Sequence, residues 1–245
     1  MNLHNKVAIV TGGAVRVGRA ITLRLAQAGC KILLHYNRSA SPAQKTQQEA
    51  VALGAQVEIF SADLSTPDAP TKIVEAALAH FGRVDILINS AAIYPSNDTF
   101  ATTDANLFDT LMAINLRAPF LLSQAFAKAV GDQQQAKIIN VTDARVSRFQ
   151  PDHFVYRFTK QSLSAMTKML PQVVCPNITV NGVALGAILP PPDADDSYFE
   201  QVVKPRIPIN MTGNATVVTD TIIFLLTQDF INGDIITLDG GEFLG

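Results

Sequence analysis

"KVAIVTGGAVRVGRAITLRLAQAG", residues 6–29, is the stretch whose reading decides the fold. A short apolar run leads into Thr11-Gly12-Gly13, and an amphipathic stretch follows that closes on Gly29. That order predicts a strand, a tight turn bracketed by Gly12 and Gly18, and a helix ending at a glycine. Such a turn aims free N–H groups at the helix start toward a pyrophosphate, and glycine lets the backbone come close to it. Arg16 is the anomaly, because it stands where a further glycine is expected.

The same alternation runs through the chain. "KVAIV", "CKILLHY", "QVEIF", "VDILIN", "AKIINV", "ITVNGVA" and "DIITLDGG" read as strands without clean in/out alternation, as strands covered on both faces do. Helix-length amphipathic stretches separate them: "SPAQKTQQEAVALG", "DAPTKIVEAALAHFG" and the long "NLFDTLMAINLRAPFLLSQAFAKAV". The expectation is an α/β fold, a doubly wound parallel sheet of seven strands with helices on both faces, in a single domain over residues 1–245. "LPPPDADDSYFE", 189–200, reads equally as a lid over a site or as a plain surface loop.

Composition narrows the function. The chain is 48% hydrophobic and 16% charged with a formal net charge of −2, which argues for an ordered globular protein and against nucleic acid or an anionic membrane as partner. The absence of a long apolar span predicts a cytoplasmic protein. Cys30 and Cys175 belong to no ligand-spaced cluster and read as two buried thiols. His35, His80 and His153 lack ligand spacing, so no metal is expected. Six Asn-x-Ser/Thr sequons occur, and without a signal peptide they read as chance matches.

The second strand supports a dinucleotide. Arg38 lies 20 residues after Gly18, where such folds place the reader of the adenosine ribose. An acidic residue there accepts from the 2′-hydroxyl of NAD. Arg38 and Ser39 suit a 2′-phosphate, so the expected cofactor is NADP(H). Asp63 after the third strand and Asn89 at the end of the fourth sit at carboxyl ends of strands, where ligands bind in these sheets.

With these residues assembled, the sequence resembles the short-chain dehydrogenase/reductase family over essentially its whole length. The motifs stand in order: Thr11 to Gly18, Asp63, Asn89 to Ala91, Asn115, Tyr156-x-x-x-Lys160, and "VNGVALGAI" before a terminal "LDGG". Within the family it looks like the pteridine reductases, which reduce dihydropteridines and dihydrofolate. That branch carries an arginine in the glycine loop, "HYxRS" after the second strand, "YP" after the fourth (Tyr94-Pro95), and aspartate in place of the catalytic serine, thirteen residues before the tyrosine, as Asp143 stands before Tyr156. Three positions depart from the pattern: Ile93 replaces the aromatic that stacks on the pterin, Leu185 precedes Gly186 where the family has proline, and Ser90 replaces a second asparagine.

The resemblance implies a Rossmann-type fold and a homotetramer. It implies that Gly12, Arg16, Val17, Gly18, Tyr36, Asn37, Arg38 and Ser39 hold the adenosine phosphates, and that Asp63, Leu64, Asn89, Ser90, Ala91, Lys160, Gly186 and Ile188 hold the rest of the cofactor. Arg16, Ile93, Tyr94, Asp143 and Tyr156 would meet a small-molecule substrate. Tyr156, Lys160, Asp143 and Asn115 would be the catalytic set, Asn115 holding a water in a proton relay.

The residue chemistry agrees in outline. Tyr156 and Lys160, four apart, share a helix face, and a nearby ammonium is expected to lower the phenol pKa toward neutrality. Tyr156 then donates a proton as hydride reduces C=N or C=O. An ionised Asp143 only accepts, which suits a ring rich in N–H groups and not a ketone; protonated, it donates together with Tyr156. Arg16 serves the substrate's oxygen and the cofactor phosphate, or the phosphate alone. The leading expectation is an NADPH-dependent reductase of a pterin or dihydropterin. The alternatives are a ketoreductase of a 3-oxoacyl, sugar or small carbonyl substrate, and a non-catalytic NADP(H)-binding sensor.

Overall fold

The computed structural model describes residues 1–131, 134–148, 151–174, 176–190 and 197–244. Cys175 and positions 191–196 of the Pro/Asp-rich segment lie outside the described residues. The seven expected strands form one parallel sheet: β1 (Val7–Val10), β2 (Lys31–Tyr36), β3 (Val57–Ser61), β4 (Ile86–Asn89), β5 (Ala136–Asp143), β6 (Ile178–Leu185) and β7 (Ile235–Leu238), in the order β3-β2-β1-β4-β5-β6-β7. The order reverses between β1 and β4. That is the switch point where loops leaving adjacent strands diverge and open a crevice.

Among the described residues eight α-helices connect the strands: α1 (Arg16–Gln27), α2 (Ala40–Ala52), α3 (Ala69–Phe81), α4 (Ala105–Met112), α5 (Ala118–Val130), α6 (Phe154–Met169), α7 (Pro171–Val174) and α8 (Ala215–Thr227). Alternate strand residues feed two cores. Ala8, Val10, Leu34 and Ile88 pack with Ile21 and Leu25 of α1 and Ile222 of α8, whereas Ile9, Leu33 and Leu87 pack with Ile73 of α3 and Phe126 of α5. Two buried faces explain why the strands read as continuous apolar runs.

The long helix expected over "NLFDTLMAINLRAPFLLSQAFAKAV" is interrupted. Pro119 has no N–H to give the carbonyl of Asn115, and the ladder widens to a π-turn over Ala113–Arg117, with Ala118 N–H donating to Ala113 O. The turn sets Asn115 against the segment that follows β4. Among the described residues no helix is long and apolar enough to cross a membrane.

Candidate active site

At the carboxyl end of the sheet lies a cleft of about 650 Å³. Its nucleotide end is made largely of backbone. The Thr11 hydroxyl accepts from Ser90 N (3.0 Å) and Ala91 N (3.1 Å), tying the ends of β1 and β4 together. Gly12 has φ +64°, and a Cβ on Gly18 would lie 2.1 Å from Gly12 O, so no other residue fits there. Arg16 also adopts a left-handed φ, +52°, the conformation for which glycine is usual. Val15 at the N-cap of α1 offers no side-chain acceptor, which leaves the first-turn N–H groups for an anion.

His35 completes this end, a histidine that by spacing alone is marked only as a non-ligand. Gly12 N donates to His35 Nδ1 (3.3 Å), so the proton sits on Nε2, which donates to Ala62 O (3.0 Å). Burial lowers its pKa, so the ring stays neutral and braces the glycine loop. The one sequence signal was a polar residue inside an apolar strand. Asn37, Arg38 and Ser39 line the mouth beyond it.

The other end of the cleft is made of side chains. Asp143, the last residue of β5, is 8% exposed. Its Oδ2 accepts from the Tyr156 hydroxyl (2.8 Å) and its Oδ1 from Arg145 N (2.8 Å). Lys160 Nζ donates to Val141 O (2.8 Å) and lies 6.0 Å from the Tyr156 ring centroid. The expected depression of the phenol is reversed: burial first, and then the Asp143 carboxylate, push the Tyr156 pKa well up, with Arg145 opposing. Burial pulls Lys160 down to about 8. The phenol is therefore held protonated, as an acid and not a phenolate.

Around this pair the walls converge from distant segments. Tyr94 stacks on His153 (centroids 4.0 Å apart), meets Tyr156 edge-on (4.7 Å) and receives a hydrogen bond from Arg145 Nη1. With one face covered by His153, Tyr94 is braced, and Tyr198 and Phe199 add aromatic side chains to the same cleft. Arg206 and Glu242 stand there as well; burial raises the Glu242 pKa, while Arg145 and Arg206 pull it down. Arg16 Nη2 donates to Pro190 O (2.8 Å), joining the glycine loop to the segment after β6.

Most of the expected site residues reach the cleft wall, including Gly186 and Ile188. Four stand behind it. Tyr36 packs at the edge of a core. Asp63 turns to accept from Ser65 N (2.9 Å); that bond and then the Arg38 charge hold its carboxyl below the usual range. Asn89 donates to Asn140 Oδ1 (2.8 Å) inside the sheet. The amide of Asn115 grips both backbone groups of Ile93, accepting from its N–H (2.9 Å) and donating to its carbonyl (3.1 Å).

A doubly wound sheet with a glycine turn at its switch point, and a buried Tyr/Lys pair facing that turn, defines a dinucleotide-dependent oxidoreductase. Comparison with known proteins makes this specific. The family described as enoyl-(acyl carrier protein) reductase matches residues 13–242. The chain is 28% identical to a 3-oxoacyl-[acyl-carrier-protein] reductase of Synechocystis, covering 98% of this chain and 97% of the relative. It is 30% identical to the 2-dehydro-3-deoxy-D-gluconate 5-dehydrogenase of Escherichia coli, covering 98% and 96%. Among solved structures it is similar to FolM alternative dihydrofolate reductase 1 from Brucella canis complexed with NADP, with a TM-score of 0.93 and 29% identity over 100% of this chain and 96% of that one. The chain belongs to the short-chain dehydrogenase/reductase family of NAD(P)-dependent oxidoreductases.

Proposed function

We propose that the protein is an NADPH-dependent reductase of a pterin or dihydropterin, working in the cytoplasm. The observation that carries this reading is the Asp143 carboxylate hydrogen-bonded to the Tyr156 hydroxyl at the substrate end of the cleft. A carboxylate beside the proton donor repels the oxyanion formed from a ketone, and it accepts well from the N–H groups of a 2-amino-4-oxo ring. The likeness to an alternative dihydrofolate reductase supports the same substrate class.

Bound NADPH supplies the hydride. Arg38 and Ser39 would hold its 2′-phosphate, and the free N–H groups of α1 would hold its pyrophosphate. Asp143 orients the substrate through ring N–H groups, and Tyr156 delivers its proton to the reduced nitrogen. Tyr198 or Phe199 supplies the stacking surface that Ile93 does not. The test is NADPH oxidation against dihydrobiopterin, dihydrofolate, folate and simple ketones, with a pterin expected to be turned over best. The second reading, a ketoreductase, is favoured by the relatives that act on carbonyl substrates, and preferential turnover of ketones would select it.

We further propose a homotetramer assembled on the long helical run that forms α4 and α5, on α6, and on the C-terminal "DIITLDGGEFLG", 234–245. A groove of about 960 Å³ between α4, the π-turn, α5, α6 and α7 is lined by Met112, Leu116, Phe120, Met166, Met169 and Val173. Light scattering showing a monomer at micromolar concentration removes this assignment.

A further inference from the structure

The first turn of α6 carries Tyr156 as its third residue, yet its N-cap residue does not cap it. His153 there is left-handed (φ +48°) and its side chain makes no cap hydrogen bond. Its ring is engaged elsewhere, with Nδ1 2.9 Å from Pro95 O and one face on Tyr94. The acceptors come from Asp98, in the segment between β4 and α4. Its carbonyl oxygen accepts from Phe154 N (3.1 Å), Oδ1 from Val155 N (3.0 Å) and Oδ2 from Tyr156 N (2.7 Å). Thr103 Oγ1 also donates to Oδ1 (2.9 Å).

Asp98 is 1% exposed. No salt bridge among the described residues involves it. A carboxylate so buried is costly unless hydrogen bonds and a compensating field meet it, and here the helix N-terminus supplies both. The chemistry needs a carboxylate. Two N–H groups point at two different oxygens, and an amide in the same place would turn its NH₂ toward one of them.

We propose that Asp98 is a positioning residue for proton transfer: by accepting the N–H groups of Val155 and Tyr156 it sets the rotation of the first turn of α6 and so aims the Tyr156 hydroxyl at Asp143 and the substrate. This rests on the reading of Tyr156 as the proton donor. Lys160, a turn further along, is held by the helix interior and by Val141 O, so Asp98 acts on Tyr156 selectively. The same segment carries Ile93 and Tyr94 on the substrate wall, and Thr99 pairs with Asp152 just before α6. The wall that meets the substrate and the acid that protonates it are thereby one unit.

The test compares Asp98→Asn, nearly isosteric, and Asp98→Ser with the unaltered enzyme, each also in a Tyr156→Phe background. Three quantities are read: NADPH oxidation on whichever substrate of the panel is reduced, NADPH affinity by fluorescence, and hydrogen exchange of the peptide covering residues 152–160. The expected result is a kcat lower by roughly 10- to 100-fold, the loss typical of a misaligned reacting group. NADPH affinity should stay close to normal, and exchange should quicken at Val155 and Tyr156. Once the phenol is gone, Asp98→Asn should cost almost nothing further, because the two act as one unit. Equal losses in both backgrounds, unchanged exchange, or a normal kcat in Asp98→Asn beside an inactive Tyr156→Phe enzyme would overturn the positioning role. A Tyr156→Phe enzyme at near-normal rate would instead overturn the proton-donor reading on which it rests.

Discussion

The two ends of the cleft are built from different materials. The nucleotide end is mostly main chain, drawn chiefly from two short runs, Thr11 to Gly18 and Asn37 to Ser39, with His35 bracing the turn. Glycine is required at position 18 because a Cβ there would lie 2.1 Å from Gly12 O, not because of any side chain. The substrate end is side chain throughout, and its members come from the segment after β4, the end of β5, the first turn of α6, residues 198–206 and Glu242. Changes at the nucleotide end should therefore act on cofactor binding alone. Changes at the substrate end should act on turnover and selectivity while the cofactor still binds.

The largest effect expected is from Tyr156→Phe, which should lower turnover by roughly 100- to 10,000-fold with NADPH affinity close to normal. Pre-steady-state and equilibrium fluorescence measurements separate the two. Weakened NADPH binding of similar size would erase the distinction between the ends.

Asp143→Ser follows. It should lower dihydropterin turnover by roughly 100-fold or more, while reduction of small ketones is kept or gained, since a hydroxyl stabilises the oxyanion that a carboxylate repels. Pterin turnover that survives the change would move the assignment to the ketoreductase reading.

At the other end, Arg38→Asp should shift preference from NADPH toward NADH by roughly 10- to 100-fold, the worth of one or two hydrogen bonds to a charged group. Saturating kcat should hardly move. Equal affinity of the unaltered enzyme for both cofactors would contradict the 2′-phosphate assignment.

The last effect is thermodynamic and is read on stability, not on rate. Lys160 loses its proton near pH 8 in the folded protein and near 10.5 when unfolded. Between those values the unfolded chain binds more protons, so stability rises with pH through that window; below it the fold carries the full cost of a buried ammonium. A depression from 10.5 to about 8 corresponds to at most roughly 3 kcal/mol. Lys160→Met should therefore raise the Tm of the cofactor-free protein at pH 7. The gain should shrink from pH 8 and vanish near 10.5. Calorimetry across that range that finds the variant less stable at pH 7 would show Lys160 to be satisfied by its bond to Val141 O.

The split between the two ends also marks what could be read in advance. The strands, their parallel pairing and the glycine turn were legible because they depend on period and on residues a few positions apart. Asp143 and Tyr156 were legible as a spacing of thirteen along the chain. Neither the burial of the phenol nor its hydrogen bond to Asp143 is written in that spacing, and these two, burial first, turn the phenol's shift upward, while Lys160, near in sequence, points to Val141 O. Asn115 was placed in a plain helix, and the π-turn that aims it at Ile93 depends on a missing N–H at Pro119 acting together with a distant partner.

By itself, then, the sequence determined the sheet and the switch-point turn, because hydrophobic period and local backbone demands are written within a few residues, and it put forward Tyr156, Lys160 and Asp143 as candidates by their spacing. Only the tertiary structure decided which groups touch. His35 braces Gly12 across 23 positions. Asp98 reaches the first turn of α6 across 57 and 58, and Arg145 ties down Tyr94 across 51. Hydrogen bonds between remote segments form only where packing brings their donors and acceptors within about 3 Å, and no pattern along the chain encodes that meeting.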